Sequence, residues 1–231
     1  MNYHNNIVVI IPAFNEENSV GNVIRDIPGG LAREIIVVNN NSNDNTRLIA
    51  EKEGATVLDE PRQGYGYACL KGIEYTRQLN APPDIIVFID ADYSDYPQET
   101  KDLVKPIIEH DFDMVIGSRA LGNKEKGAMT PQQIFGNRLA TFLLRLLYEV
   151  RYPDLGPFRA IKFDKLLELD MQDTTYGWTV EMQLKAAKKK MKVTEVPVSC
   201  RKRIGFSKIS GTVKGTFMAG YKIITTIFKY L

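Results

Sequence analysis

Histidine is almost missing from this chain. His4 and His110 are the only two among 231 residues, and neither stands in a setting suited to catalysis. A serine–histidine triad and a histidine zinc site are therefore not expected. Cysteine is as scarce: Cys69 and Cys200 lie far apart and match no metal or redox spacing. They read as free thiols, which favours a reducing compartment. No apolar run reaches the ~18 residues of a transmembrane helix. The N-terminal run IVVIIPAF is too short for a signal peptide and stops at Asn15, Glu16 and Glu17. The turn after it lacks the glycines of a dinucleotide fingerprint, and GTVKGT at 211–216 lacks P-loop spacing. No repeat or low-complexity linker divides the chain, so a single domain over residues 1–231 is expected.

What is present is unevenly charged. The formal net charge is only +2, yet from Lys185 onward ten Lys and two Arg face one acid, Glu195. That stretch carries +11 and leaves −9 on the first 184 residues. An acidic body with a basic tail predicts an anionic partner for the tail, either phosphates or a membrane surface.

Apolar β-branched runs at 7–12, 34–39, 55–60, 84–90 and 113–118 alternate with helical spacing at 16–27, 44–53, 64–79 and 98–109. Near-continuous apolar strands between helices predict an α/β fold whose mostly parallel sheet is covered on both faces. In the second half, helices are expected over 134–150 and 178–190. A short strand is expected at 157–162 and another at 191–202, where Pro197 suggests an edge. Over 211–231 Lys214, Lys222 and Lys229 share one helical face, with Phe217, Ile224, Ile227, Phe228 and Leu231 mainly away from it. Such an amphipathic helix suits either a membrane interface or docking on the sheet.

Ligands of parallel sheets bind at the carboxyl ends of strands. Three polar clusters fall there: Asn15 to Glu17, Asn39 to Asp44, and Asp90 to Asp95. In IIVFIDADYSDYP, Asp90 and Asp92 offer hard oxygens two residues apart, a donor set for Mg²⁺ or Mn²⁺ shared with substrate phosphates. Asp95 instead suits the N-terminus of the helix at 98–109. The amides and hydroxyls of VVNNNSNDNT can read a nucleobase edge, and Asp44 or Asn45 can also cap the next helix. The glycines of RQGYGYACLKG mark a place where backbone closely approaches a ligand or another segment.

Together PAFNEE, NNNSNDNT, GYGYA, DAD and GSR, in this order over residues 7 to about 120, resemble the family 2 glycosyltransferases of GT-A fold. DLGPFRA and RKRIGFSKIS resemble the polyprenyl-phosphate branch of that family, which includes dolichol-phosphate mannose synthase and bacterial polyprenyl-phosphate sugar transferases. The resemblance implies a nucleotide-sugar-binding half over 1–120, an acceptor-side half over 121–210, and the helix 211–231. It implies nucleotide contacts from Pro12, Ala13, Glu16, Asn39, Asn40, Gly64 and Asp90, with the metal on Asp90 and Asp92. It places Asp92 and Asp154 at the reaction centre, and Arg119, Arg203, Ser207 and Lys208 on phosphate groups. This chain departs from the family where base-reading acids are usual, carrying Asn39 and Asn40 instead. The Gln common after DAD is absent, and Pro157 replaces a frequent small residue before Phe158.

The expected reaction is metal-dependent, inverting transfer of a sugar from a nucleotide sugar to a polyprenyl phosphate. An amide oxygen satisfies the single N–H of uracil, whereas guanine's paired donors suit a carboxylate, so a UDP-sugar is expected over a GDP-sugar. Peripheral attachment to the cytoplasmic face of a membrane goes with such an acceptor, and no nucleic-acid partner is expected. Two alternatives stand beside it. One is transfer to a saccharide or protein hydroxyl, with Asp154 or Glu181 as base. The other is a non-catalytic nucleotide-sugar-binding module at a membrane.

Overall fold

The computed structural model describes residues 6–205 and 213–230. Its strands are β1 (Ile7–Ala13), β2 (Glu34–Asn39), β3 (Thr56–Asp59), β4 (Ile85–Phe88), β5 (Met114–Ser118), β6 (Arg159–Lys162) and β7 (Val193–Pro197). Its helices are α1 (Val20–Asp26), α2 (Thr46–Lys52), α3 (Tyr65–Arg77), α4 (Thr100–His110), α5 (Pro131–Tyr148), α6 (Phe163–Leu169), α7 (Trp178–Lys188) and α8 (Val213–Lys229). All the strands join one sheet in the order β3-β2-β1-β4-β6-β5-β7. The pairs β1–β2, β1–β4, β2–β3 and β5–β7 are parallel. Among the described strands only β6, inserted between β4 and β5, runs antiparallel to its neighbours. This is the mostly parallel, helix-flanked α/β fold that the strand pattern and the family resemblance led one to expect.

The continuous apolar strands follow from two cores. Along β1, β2 and β4, Val8, Ile10, Ile36, Val38, Ile86 and Phe88 pack with Ile73, Leu144, Trp178 and Ile227 on one side. Their neighbours Ile7, Val9, Ile11, Val37, Ile85 and Val87 pack with Val20, Val23, Ala50 and Leu103 on the other. Successive side chains point to opposite faces, so strands covered on both sides, as β1 and β4 are, must be apolar at every position. Pro197 closes the edge strand β7, where a missing N–H is tolerated.

Differences from the sequence reading have local causes. The first helix begins at Val20 rather than 16, because the Glu16 carbonyl accepts from the N–H groups of Ser19 and Val20 in a turn. The helix expected at 134–150 begins at Pro131, capped by a Thr130–Gln133 capping box. The expected strand at 191–202 shortens to Val193–Pro197. Beyond it the chain crosses the rim, where Cys200 bridges to Asp95 and Lys124. The short α6 was not foreseen.

The chain after β1 moves outward to β2 and β3, then crosses back to place β4 on β1's other side. The boundary between β1 and β4 is therefore a topological switch point, with a crevice at its carboxyl end.

Candidate active site

A cavity of about 460 Å³ opens at that switch point. Pro12, Ala13, Phe14 and Glu16 line it from the end of β1, and Asp90, Ala91 and Asp92 from the end of β4. Asn40, Gln63, Gly64, Tyr65 and Ala68 line it from the β2 and α3 sides. Thr175, Tyr176 and Arg203 complete the lining. Its volume lies within the ~300–1,000 Å³ of small-molecule sites.

Three non-glycine residues adopt positive φ at the three strand ends: Asn15 (54°), Asn41 (61°) and Tyr93 (61°). Asparagine tolerates this region, but a bulky Tyr seldom visits it without support. Tyr93 has that support. The Asp92 Oδ1 accepts from the Ser94 N–H at 2.9 Å, the Tyr93 hydroxyl donates to Asp26, and the Arg201 guanidinium stacks 3.4 Å from the Tyr93 ring centre. Such backbone strain is characteristic of functional sites.

The carboxylates are arranged asymmetrically. Asp92 is buried and meets Arg203 Nη1 at 3.2 Å through Oδ2. Asp90 faces the cavity, and its Oδ1 is buried with no hydrogen-bond partner. Burial and the charge of Asp92 push the Asp90 carboxyl up to about 7. The Tyr65 hydroxyl is likewise buried without a partner, and burial together with Asp90 raises it well above the ordinary tyrosine range. An unsatisfied carboxylate oxygen beside a second carboxylate fits a hard divalent cation. Among the described residues no cluster of three His, Cys, Asp or Glu can hold a metal alone. Asp90 and Asp92 would therefore share it with ligand oxygens.

Arg203 ties the rim together. Its Nη2 donates to Glu16 Oε1 at 2.7 Å while Nη1 faces Asp92, joining the loops after β1 and β4. The segment carrying it is fixed by the Arg201 N–H on the Ser94 carbonyl (2.9 Å) and the Ile204 N–H on the Asp92 carbonyl (3.0 Å). Arg203 also borders a second cavity of about 160 Å³, shared with Asp92, Arg119, Thr130, Gln133, Arg201 and Lys202. Ser207 and Lys208 lie outside the described residues.

Asp154 lines neither cavity. It lies 1% exposed beneath Arg119, which donates Nε to Oδ2 at 2.9 Å and Nη2 to Oδ1 at 2.8 Å, with its backbone N–H also on Oδ2. Burial alone would raise this carboxyl, but the Arg119 fork holds it below its ordinary value. The pair fixes Arg119 at the edge of the second cavity, and a carboxylate so saturated is a poor proton acceptor.

The asparagines are also committed. Asn39 donates to Asp59 Oδ1 at 2.9 Å and accepts from the Ser42 N–H at 3.3 Å. Asn40 donates to the carbonyls of Glu60 (3.0 Å) and Arg62 (2.6 Å) and accepts from the Gly64 N–H at 2.8 Å. It thereby folds the loop before α3 against the cavity floor. The glycines there accommodate protein rather than ligand: a Cβ at Gly64 would lie 2.3 Å from the Thr174 carbonyl, and one at Gly66 2.0 Å from that of Asp173. This contact delivers Thr175 and Tyr176 to the site. Sequence reasoning missed both, as it missed Gln63 and Tyr65. Tyr65 stands in the glycine-bearing stretch already singled out, whereas nothing in MQDTTYGW marks its loop as part of the site.

The mostly parallel, helix-flanked sheet, with paired carboxylates at its switch-point cavity, is of the GT-A glycosyltransferase type. Residues 8–169 match the family model described as glycosyl transferase family 2, and the chain belongs to that family. It is an enzyme that transfers a sugar from a nucleotide sugar. A glycosyltransferase of Mycobacterium tuberculosis is 34% identical over 92% of this chain and 94% of its own length. A dolichyl-phosphate hexose transferase of Haloferax volcanii is 30% identical, over 88% of this chain and 86% of its own. The UDP-N-acetylglucosamine–dolichyl-phosphate N-acetylglucosaminyltransferase of Methanococcus voltae is 29% identical over 94% and 92%. The fold is also that of glucosyl-3-phosphoglycerate synthase from M. tuberculosis, solved with Mn²⁺, UDP and its product. That structure gives a TM-score of 0.76 at 22% identity, covering 98% of this chain and 80% of the other.

Proposed function

We propose that this enzyme transfers a sugar from a UDP-sugar to a polyprenyl phosphate, inverting the anomeric centre. The observation that carries the reading is the pair of cavities meeting at Asp92 and Arg203. The larger suits the donor. The smaller, bordered by Arg119, Arg201, Lys202 and Arg203, suits an anionic acceptor.

In this reading Asp90 and Asp92 hold Mg²⁺ or Mn²⁺, and that cation, when bound, offsets charge on the departing diphosphate. Arg203 is placed to leave its carboxylate partners for phosphate oxygens. Arg119, held by Asp154, directs its remaining donors toward the acceptor. The acceptor phosphate is anionic near neutral pH, so no general base is required. Asp154 then acts as a positioning residue. Pro12, Ala13, Glu16, Asn40 and Gly64 border the nucleoside, with Asn39 supporting them through Asp59. Three features favour UDP: no carboxylate stands at positions 39 and 40, one relative is named for a UDP-sugar donor, and the solved structure that shares the fold holds UDP.

Among the described residues no helix is long and apolar enough to cross a membrane. A second reading is favoured by the likeness to glucosyl-3-phosphoglycerate synthase: a small phosphorylated acceptor glycosylated on a hydroxyl. Incubation of UDP-sugars with Mn²⁺ and either a short polyprenyl phosphate or 3-phosphoglycerate, with products detected by mass, separates the two. Glycosylated lipid phosphate is expected; sugar on phosphoglycerate alone, or transfer only from GDP-sugars, would overturn the proposal.

A further inference from the structure

The loop that carries Thr175 and Tyr176 into the larger cavity is shaped by two carboxylates that line neither cavity. Glu181, on α7, is fully buried. Its Oε1 accepts from the Gln172 N–H at 3.0 Å, and its Oε2 from the Asp173 N–H at 2.6 Å. Asp173 Oδ1 accepts in turn from the N–H groups of Thr175 (2.8 Å) and Gly177 (3.1 Å). Carboxylates that accept several backbone N–H groups fix a loop in one shape. Glu181 is paired with Lys185 Nζ as well, at 2.8 Å, so it makes a poor base for a hydroxyl acceptor.

Both carboxylates are also tied to the C-terminal segment. The Tyr230 hydroxyl, one residue past α8, donates to Glu181 Oε1 at 2.6 Å, and Lys222 Nζ meets Asp173 Oδ2 at 3.0 Å. Thr226 stands midway, 4% exposed. A Cβ added at Gly177 would lie 2.5 Å from the Thr226 Oγ1 and 2.4 Å from Asp173 Oδ2, so the packing there is close. Positions 222, 226 and 230 recur at intervals of four and share one helical side. Apolar docking of α8 is supplied beside them by Ile223 and Ile227. On its other flank the loop meets the start of α3, where Gly64 and Gly66 admit its carbonyls and the Tyr67 N–H donates to Thr174 at 3.1 Å. The loop is thus clamped between α3 and a polar side of α8.

We propose that Lys222 and Tyr230 are positioning residues for donor binding, acting through Asp173 and Glu181 to hold Thr175 and Tyr176 in the cavity. This rests on the reading of the larger cavity as the donor site. A loop already in its bound shape adds no ordering cost when the donor enters. A loop released from α8 must be ordered by the donor, and apparent affinity falls with the fraction of time it is misplaced. None of the described residues of α8 lines either cavity, so its influence on the donor passes through this loop.

The test compares the full chain with Lys222→Met, Tyr230→Phe, both together, and Lys222→Arg as the conservative variant. UDP is titrated in Mn²⁺, and hydrogen exchange is followed in the peptide spanning 170–178. The double variant should bind UDP about tenfold more weakly and raise KM for the UDP-sugar by a similar factor, with kcat within about twofold of wild type. Exchange in the peptide should quicken, and Lys222→Arg should keep both values within about twofold of wild type. Glu181→Gln should also act on KM; a fall in kcat beyond about a hundredfold with KM unchanged would make Glu181 the base and overturn the proposal. Faster exchange with undiminished UDP affinity in the folded double variant would overturn it too, as would weaker UDP binding without faster exchange. A wild-type chain that binds neither UDP nor GDP would overturn the donor reading itself. Normal wild-type binding that the double variant keeps would overturn the positioning role alone.

Discussion

Arg203→Ala removes a side chain that bridges the loops after β1 and β4 with two ion pairs. The side chains of Arg203, Glu16 and Asp92 are 26%, 10% and 11% exposed, so solvent screens these pairs only partly. A hydrogen bond to a charged group contributes ~1.5–3 kcal/mol. The Glu16 contact at 2.7 Å is well formed, whereas the Asp92 contact at 3.2 Å is longer and weaker. Discounting for screening, loss of both should cost about 2–3 kcal/mol in the absence of metal. At ~2–4 °C per kcal/mol for a chain of this size, the melting temperature should fall by roughly 5–10 °C. Added Mn²⁺ should recover most of the loss, because the cation replaces the missing positive charge between the carboxylates. The variant should also bind Mn²⁺ about tenfold more tightly than wild type, since the metal no longer competes with Arg203 for Asp92. Turnover should still fall at least about tenfold if Arg203 serves phosphate groups. Scanning calorimetry with and without Mn²⁺, and titration of Mn²⁺ into both proteins, decide the matter. An unchanged melting temperature together with an unchanged Mn²⁺ affinity would show that the bridge carries no energy in solution.

Asp92→Asn should abolish transfer while leaving stability within ~1 kcal/mol, because it loses the Arg203 pair but also relieves repulsion with Asp90; full turnover of this variant in EDTA would refute the metal assignment. The Asp90 carboxyl, raised to about 7 from an ordinary 3.8, keeps its proton in the metal-free native state over a range where the unfolded chain has lost it. Its contribution to stability is thus full below about pH 4 and lost as pH rises through about 7. Mn²⁺ affinity should climb over the same interval and level off above it, and an affinity independent of pH there would contradict this. Gly66→Ala drives a Cβ toward the Asp173 carbonyl and should destabilise by ~1–3 kcal/mol. UDP affinity should fall with it, as Thr175 and Tyr176 shift; unchanged UDP affinity in a destabilised variant would remove that loop from the donor site.

Much of the site was legible because it depends on local pattern. An apolar run ending in Asp90 and Asp92 announces both a buried strand and the rim where it stops, since neither carboxylate could sit inside the sheet. Pro12 to Glu16 and Asn39 to Asn45 follow the same rule at the ends of β1 and β2. The Thr130–Gln133 capping box could have been read from TPQQ, a signal within four residues. The glycines of GYGYA announced a close approach, though not its partner.

What the local sequence could not convey was the choice of distant partners. The Arg119–Asp154 fork spans 35 positions, and the Arg203–Glu16 bond spans 187. Both depend on how loops from separate strands meet, and a side chain's own neighbours in sequence carry no record of that. The antiparallel placement of β6 between β4 and β5 is of the same kind, since RAIK would serve a parallel strand equally well. The dual character of α8 is another case: its periodicity marked an amphipathic helix, but only docking shows that Ile227 is buried while Phe217 and Phe228 face solvent. Sequence alone thus determined the α/β class, the rim and the paired carboxylates, because hydrophobic periodicity and chain termination of strands are short-range. Tertiary structure decided which carboxylate is left unsatisfied, which arginine compensates the other, and which side of α8 meets the loop beside the cavity. Those depend on packing geometry summed over the whole chain.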